Sequence, residues 1–313
     1  MELSSNLLTA RMAGVLERIV RANRPPFYAQ SPEAARLAYT LGAEILDLPR
    51  AKLHRVEDLV LPGAVGGLPA RLYANSQDRL PVLLYFHGGG FTIGNLETHD
   101  SLCRQLALRS GAAVLALDYR LAPEHRFPAA VDDCWAALAW LAEYGHTLDL
   151  DNRRIAVGGD SAGGTLAAVS AQHARDLGLK LALQLLVTPG TIAHADTGSH
   201  RLFANGFLLD APSIAWFFDQ YIAKAQRTDW RFAPLLAEDF EGLAPACVIL
   251  AECDPLVDEG LAYADALRAA GVPVQLELYR GVIHDFIKMG RSIPEALHAQ
   301  AAAALALQQG FKA

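Results

Sequence analysis

Hydrophobic and polar positions follow three periods in turn along this chain. Leu8, Met12, Val15, Leu16 and Ile19 recur at helical spacing, and Pro25-Pro26 ends that first amphipathic helix. From about residue 53 the period shortens to two. "HRVEDLVLP" and "LPARLYAN" alternate as half-exposed strands, and Gly66-Gly67 between them predicts an antiparallel pair. Beyond them, short apolar runs alternate with helical stretches. The runs are "PVLLYF" (81–86), "AAVLALD" (112–118), "RIAVG" (154–158), "LALQLLV" (181–187), "ACVILA" (246–251) and "VQLELY" (274–279). Helices are expected near 98–110, 128–143, 162–177, 258–270 and 292–309. Strands that are apolar throughout belong in a sheet covered on both faces, and helices between them make the crossovers parallel. The fold class is therefore α/β: an open, doubly wound, mostly parallel sheet with helices on both faces.

One interval breaks the rhythm. Between "LLVTPG" and "ACVILA" the chain is too long for a single crossover and carries the aromatic, helix-like "SIAWFFDQYIAKA". With the N-terminal helices it is expected to cap the carboxyl edge of the sheet. The division is 1–45 and 190–230 for the helical cap, and 46–189 and 231–313 for the catalytic part of a single folding unit.

Composition narrows the class of protein. At 313 residues, 52% hydrophobic and 19% charged, the chain can bury a large α/β core. The net charge of -7 argues against nucleic-acid or anionic-membrane partners and suggests a soluble protein. Cys103, Cys134, Cys247 and Cys253 lack C-x-x-C spacing and sit in apolar contexts, as buried thiols in a reducing, cytoplasmic compartment do. Arg11, Glu17 and Arg18 interrupt the N-terminal apolar stretch, so it does not read as a signal peptide. No run approaches the length of a membrane span.

The chemistry begins at "VGGDSAGG". A dinucleotide fingerprint fails on position, and a phosphate loop fails because Gly164 stands where its lysine belongs. Gly159-Asp160-Ser161-Ala162-Gly163 fits the G-x-S-x-G nucleophile elbow, in which a strained serine is presented between strand and helix. Ligands of open α/β sheets bind beyond the carboxyl ends of strands. Three reactive side chains follow strand ends: Ser161 after "RIAVG", Asp254 after "ACVILA" and His284 after "VQLELY". Their order, Ser…Asp…His, is that of the α/β-hydrolase arrangement. His87-Gly88-Gly89-Gly90 follows "PVLLYF", where glycines let backbone N–H groups face a developing oxyanion.

On "YFHGGGF", "THDSLCRQLA", "DYRLAPEHRFPAAVDDCWAALAWL", "VGGDSAGGTLAA", "DPLVDEG" and "HDF", the chain resembles the hormone-sensitive-lipase-like α/β-hydrolases, the bacterial family IV carboxylesterases. The resemblance spans roughly residues 81 to 286. It implies Ser161 as nucleophile, His284 and Asp254 as its partners, and the N–H groups of Gly89, Gly90 and Ala162 as the oxyanion hole. It implies hydrolysis of small-molecule esters with short to medium acyl chains, without metal or organic cofactor. A homodimer through the edge of the last strand is the further expectation. Two departures stand out. His284-Asp285-Phe286 occupies the place where the family usually reads H-G-F, so a carboxylate beside the base either perturbs its pKa or points to solvent. The cap segments "FANGFLL" and "RTDWRFAPL" match only loosely, so substrate preference does not carry over.

Other residues have structural readings. Asp258 suits a helix N-cap, which leaves Asp254 as the acid. His87, Gly88 and Asp160 are expected to support the loop rather than react, and Arg120 and Glu124 of "DYRLAPEH" are ion-pair candidates. Phe91, Trp216, Phe217 and Tyr221 are candidate walls of the substrate pocket. His194, Asp196 and His200 have no further ligand nearby, so no metal site is expected. Two rivals remain open: a non-catalytic binding protein on the same fold, as in plant gibberellin receptors that lack the histidine, and an amidase, lactonase or deacetylase with the same triad.

Overall fold

The structure, a computed structural model, describes residues 7–312; the expected cap residues 1–6, and residue 313, lie outside the described residues. Two helices come first. α1 (Ala10–Arg21) is capped by the Thr9 hydroxyl, which accepts from the Met12 N–H, and buries Met12 and Val15. α2 (Pro32–Leu46) has Ser31 as its N-cap and proline at its first position, where the missing N–H costs no intrahelical bond.

Eight strands then form one sheet: β1 (Arg55–Pro62), β2 (Gly67–Ala74), β3 (Leu80–Phe86), β4 (Ala113–Leu117), β5 (Leu150–Asp160), β6 (Leu183–Val187), β7 (Ala246–Cys253) and β8 (Val274–Ile283). The spatial order is β1-β2-β4-β3-β5-β6-β7-β8. Only β2 runs against its neighbours, and the remaining ladders from β4 to β8 are parallel. Gly66 takes φ 76° in the β1–β2 turn.

Crossover helices cover both faces: α3 (Asp100–Ser110), α4 (Ala129–Tyr144), α5 (Ala162–Asp176), α8 (Val257–Ala269) and α9 (Pro294–Gly310). β4 is buried at all five positions and β6 likewise, as strands between two helical layers should be. The four cysteines are free and buried in this core.

The chain between β6 and β7 folds into α6 (Gly198–Leu202) and α7 (Ala211–Tyr221) with short 3₁₀ turns. A small second apolar cluster joins Ala35, Ile93 and Phe217, with Phe27, Tyr39, Leu209 and Trp216 packed around it. It holds α2 and α7 together above the strand ends. α1 differs, because Met12 and Val15 belong to the main core and Thr9 N–H bonds the Gly281 carbonyl within β8.

The chain runs from β3 outward to β4 and then back across to β5. β3 and β5 are neighbours, with Phe86 opposite Gly159. That pair marks the point where the strand order reverses, the usual place for a ligand crevice.

Candidate active site

Ser161 sits between β5 and α5 with φ 53° and ψ -121°, a region costing about 1–3 kcal/mol for a residue with a side chain. The turn is over-determined by its neighbours. Ser161 N–H bonds the Val187 carbonyl at 2.8 Å, and its own carbonyl receives the Thr165 N–H at 3.1 Å. A Cβ on Gly159 would collide with the backbone of Gly163 and the carbonyl of Phe86. The glycines of the motif are therefore spaces into which strand and helix fit.

His284 follows β8 and Asp254 follows β7. His284 Nε2 lies 2.9 Å from Ser161 Oγ, and Nδ1 lies 2.7 Å from Asp254 Oδ2. The other Asp254 oxygen accepts the Leu256 N–H at 2.9 Å, which fixes the carboxylate. With Nδ1 donating to Asp254, Nε2 is left as the acceptor for the Ser161 hydroxyl proton. Burial on its own would lower the His284 pKa. The charge and hydrogen bond of Asp254, joined by the charges of Asp285 and Asp160, outweigh it and hold the ring above its ordinary value.

Gly89 and Gly90 follow β3 with φ 119° and φ 57°, and Phe91 continues with φ 59°. A side chain on Gly89 would strike the Ile93 carbonyl, and one on Gly90 the Phe217 ring. Their N–H groups and that of Ala162, the first residue of α5, have no hydrogen-bond partner among the described residues. All three residues line the same cavity as Ser161 and His284.

Behind the loop lies a buried polar layer. Asp160 Oδ1 accepts from Tyr85 Oη at 2.5 Å and Gly88 N–H at 3.2 Å; Oδ2 lies 3.0 Å from His99 Nε2. Burial opposes ionisation of Asp160, but His99 and the hydrogen bonds prevail and hold its carboxyl below the usual range. His87 stacks on Tyr119 with centroids 4.3 Å apart, and its Nδ1 donates to the Gly88 carbonyl at 2.8 Å. Burial and the His99 charge push its pKa down to about 3, so it is a neutral brace. His99 was not singled out in the sequence; it lies inside "THDSLCRQLA" but reads there as an ordinary helix-start residue.

The cavity measures about 1080 Å³ including its open mouth. Of the four candidate wall residues, Phe91 and Phe217 line it and Trp216 and Tyr221 do not. Tyr221 is buried behind Phe91, stacked on it with centroids 4.0 Å apart, and Trp216 packs edge-on against Phe217. Phe27, Tyr39, Ile93, Leu209, Ile214 and Phe232 supply wall that the sequence did not single out. Two carboxylates also reach the cavity, Glu259 and Asp285. Glu259 accepts from the Thr191 and Ile192 N–H groups, and burial raises its pKa to about 8.

Arg120 and Glu124 are both paired, though not with each other. Arg120 chelates Asp133, and Glu124 takes both terminal nitrogens of Arg36 on α2. Asp258 does not cap its own helix; its Oδ2 accepts from Ser199 N–H at the start of α6, at 2.7 Å. His200 Nδ1 lies 2.7 Å from Thr197 Oγ1, and no group of three or more His, Cys, Asp or Glu among the described residues is placed to hold a metal ion.

Comparison with known proteins bears on this geometry. The family model for the alpha/beta hydrolase fold matches residues 83–288. Esterase LipI of Mycobacterium tuberculosis is 43% identical over 263 residues, 81% of this chain and 82% of that protein. Ethyl acetate hydrolase of Pseudomonas putida is 41% identical over 293 residues, 91% of this chain and 92% of that protein. Among solved structures, an ester-hydrolase from the metagenome of Lake Arreo, complexed with a bipyridine phosphonate derivative, superposes with a TM-score of 0.94. It is 38% identical and covers 98% of this chain and 100% of its own.

Proposed function

The chain belongs to the α/β-hydrolase family and is a carboxylic ester hydrolase, and we propose that it works as a serine esterase of the hormone-sensitive-lipase-like type, with Ser161, His284 and Asp254 as its triad. The observation that carries the reading is the continuous chain of contacts from Asp254 Oδ2 through the imidazole to Ser161 Oγ, at 2.7 Å and 2.9 Å.

In the first half-reaction Ser161 Oγ bonds to the ester carbonyl carbon while its proton passes to His284 Nε2. The carbonyl oxygen becomes an oxyanion facing the N–H groups of Gly89, Gly90 and Ala162. The tetrahedral centre collapses, the alcohol oxygen takes the proton from Nε2, and an acyl-serine remains. Water, deprotonated by the same nitrogen, then releases the acid. Asp254 holds the ring in the tautomer that accepts at Nε2 and stabilises the imidazolium. Each oxyanion donor contributes about 2.7–4 kcal/mol, so the glycine loop supplies a large share of the rate.

α2 and residues 190–230 act in this reading as the cap over the strand ends, and the substrates are small esters of short to medium acyl chain. The reaction needs no metal or organic cofactor. No helix among the described residues is long and apolar enough to cross a membrane; a cytoplasmic protein, alone or as a homodimer, fits the acidic surface.

A fluorophosphonate or related organophosphate tests the assignment. It should label Ser161 stoichiometrically and abolish hydrolysis of a chromogenic butyrate ester. Ser161→Ala should be neither labelled nor active; residual turnover within tenfold of wild type refutes the nucleophile.

A further inference from the structure

Asp285 takes a left-handed backbone, φ 68°, directly after His284 and lines the cavity. One of its oxygens is committed. Oδ2 accepts from Tyr39 Oη at 3.2 Å and faces Lys288 Nζ at 3.1 Å, while Lys288 also donates to the Tyr39 hydroxyl. Lys288 is only 7% exposed, and a lysine so buried needs its paired charge. The cluster therefore pins the carboxylate between α2 and the loop that carries the base. Oδ1 takes no hydrogen bond among the described residues, and the side chain keeps 18% of its exposure. Beside it the wall is apolar, where Phe27 packs edge-on against Tyr39 with centroids 6.0 Å apart.

The chemistry says which part of a substrate meets this oxygen. The departing alcohol oxygen takes its proton from His284 Nε2, so the alcohol portion lies on the His284 side of the cavity. Lys288 already balances the Asp285 charge, which removes the advantage a cationic alcohol would have and leaves a neutral O–H donor as the fitting partner. On the ester-hydrolase reading, we propose that Asp285 is a specificity-determining residue that accepts a hydrogen bond from a hydroxyl on the alcohol portion. The enzyme then favours hydroxyalkyl esters, such as monoesters of glycols and glycerol, over alkyl esters of the same size. A wall built to hydrogen-bond a hydroxyl discriminates more strongly than an apolar one discriminates by size.

The test compares 2-hydroxyethyl butyrate with n-propyl butyrate, which differ by a hydroxyl in place of a methyl. Wild type should show kcat/KM about tenfold higher for the hydroxyethyl ester, the scale of one net hydrogen bond at a partly open site. Asp285→Gly keeps the backbone conformation but strands Lys288, so it is paired with the double variant D285G/K288M, which removes both charges. The substrate ratio, taken on one preparation, is insensitive to loss of folded enzyme or of general base strength. In the double variant it should fall to one or below. A wild-type ratio of one or less, or a ratio unchanged in the double variant, overturns the proposal. Failure of both esters to turn over overturns the ester reading and this inference with it, whereas equal turnover overturns this inference alone.

Discussion

No methyl group fits between Gly163 and Phe86. A Cβ on Gly163 would run into the Phe86 carbonyl and the carbonyl of His87, where the end of β3 meets the start of α5. The contact joins the loop bearing the Gly89 and Gly90 N–H groups to the helix bearing that of Ala162. Gly163→Ala must push the two apart, and the proposed oxyanion donors with them. The expected result is a loss of at least about 10²-fold in kcat, the scale of one oxyanion donor, together with a lower Tm. Gly42→Ala is the control, since nothing lies within 4 Å of its Cβ position on α2. It should leave kcat unchanged and stabilise by about 0.5–1 kcal/mol. Equal kcat for Gly163→Ala and wild type would contradict the close-approach argument.

Asp160 adjoins Ser161 yet points away from it, into the layer of Tyr85, Gly88 and His99. Asparagine preserves an acceptor for Tyr85 and Gly88 and keeps a polar group facing His99. Asp160→Asn should therefore keep kcat within about tenfold of wild type, the scale of one net hydrogen bond. Alanine leaves the buried Tyr85 hydroxyl unpaired and Gly88 N–H with only His99 Nε2, 3.3 Å away, and should cost about 1–3 kcal/mol in denaturant unfolding. An asparagine variant as inactive as Ser161→Ala would instead assign Asp160 a direct part in the chemistry.

The sheet and the three residues proposed as the triad were legible in the sequence because each is written locally. β3, β4, β6 and β7 are short apolar runs, β5 ends in one and β8 alternates, and Ser161, Asp254 and His284 each follow one of these strands directly. What was not legible depends on contacts between distant segments. Tyr39 meets Asp285 across 246 residues of sequence, and on α2 it looks like any half-apolar helix position. Trp216 and Phe217 are adjacent on α7, and one helical step of about 100° decides which faces the cavity. Periodicity predicted the helix but not its rotation, which the Ala35–Ile93–Phe217 cluster sets. Arg120 and Glu124 were legible as charged partners, while their actual mates, Asp133 and Arg36, depend on how the loop and α2 pack.

The His284 pKa gives a pH dependence with a definite sign. On the proposed triad, His284 must be neutral to accept the Ser161 proton, so kcat/KM rises with pH through the His284 pKa and then levels. Burial lowers that pKa, but Asp254, Asp285 and Asp160 raise it further than burial lowers it, so the midpoint of the acid limb lies above 6.5. Asp254→Asn removes the leading favourable charge while burial persists. The midpoint should then fall, alongside a loss of about 10⁴-fold in kcat. The same shift affects stability: a raised histidine pKa stabilises the fold fully below the unfolded-state value and ceases to do so as pH rises through the folded one. The stability gap between wild type and Asp254→Asn should therefore narrow with rising pH. A wild-type midpoint at or below 6.5, from kcat/KM profiles on butyrate esters, would contradict the assigned charges.

Acyl length should show an optimum. The cavity walls are bulky and held by packing rather than by mobile loops: Phe91 is stacked on Tyr221, and Phe218 meets Phe232 edge-on with centroids 5.0 Å apart. Phe217 closes over Gly90 and is clamped by Phe27 and Trp216. Each methylene that finds wall contributes about 0.8 kcal/mol, roughly fourfold in kcat/KM, until the chain meets the rings. Beyond that point the added carbons must displace packed aromatics or stay in water. Specificity constants should climb from acetyl to butyryl or hexanoyl esters and fall steeply by dodecanoyl. Phe217→Ala opens the wall over Gly90 and should move the optimum to longer chains while lowering turnover of acetate esters. A 4-nitrophenyl ester series on both proteins reads this directly. Undiminished wild-type turnover of palmitoyl esters would mean that α7 swings clear of the strand ends during the reaction, and an unmoved optimum in Phe217→Ala would place the acyl chain against another wall.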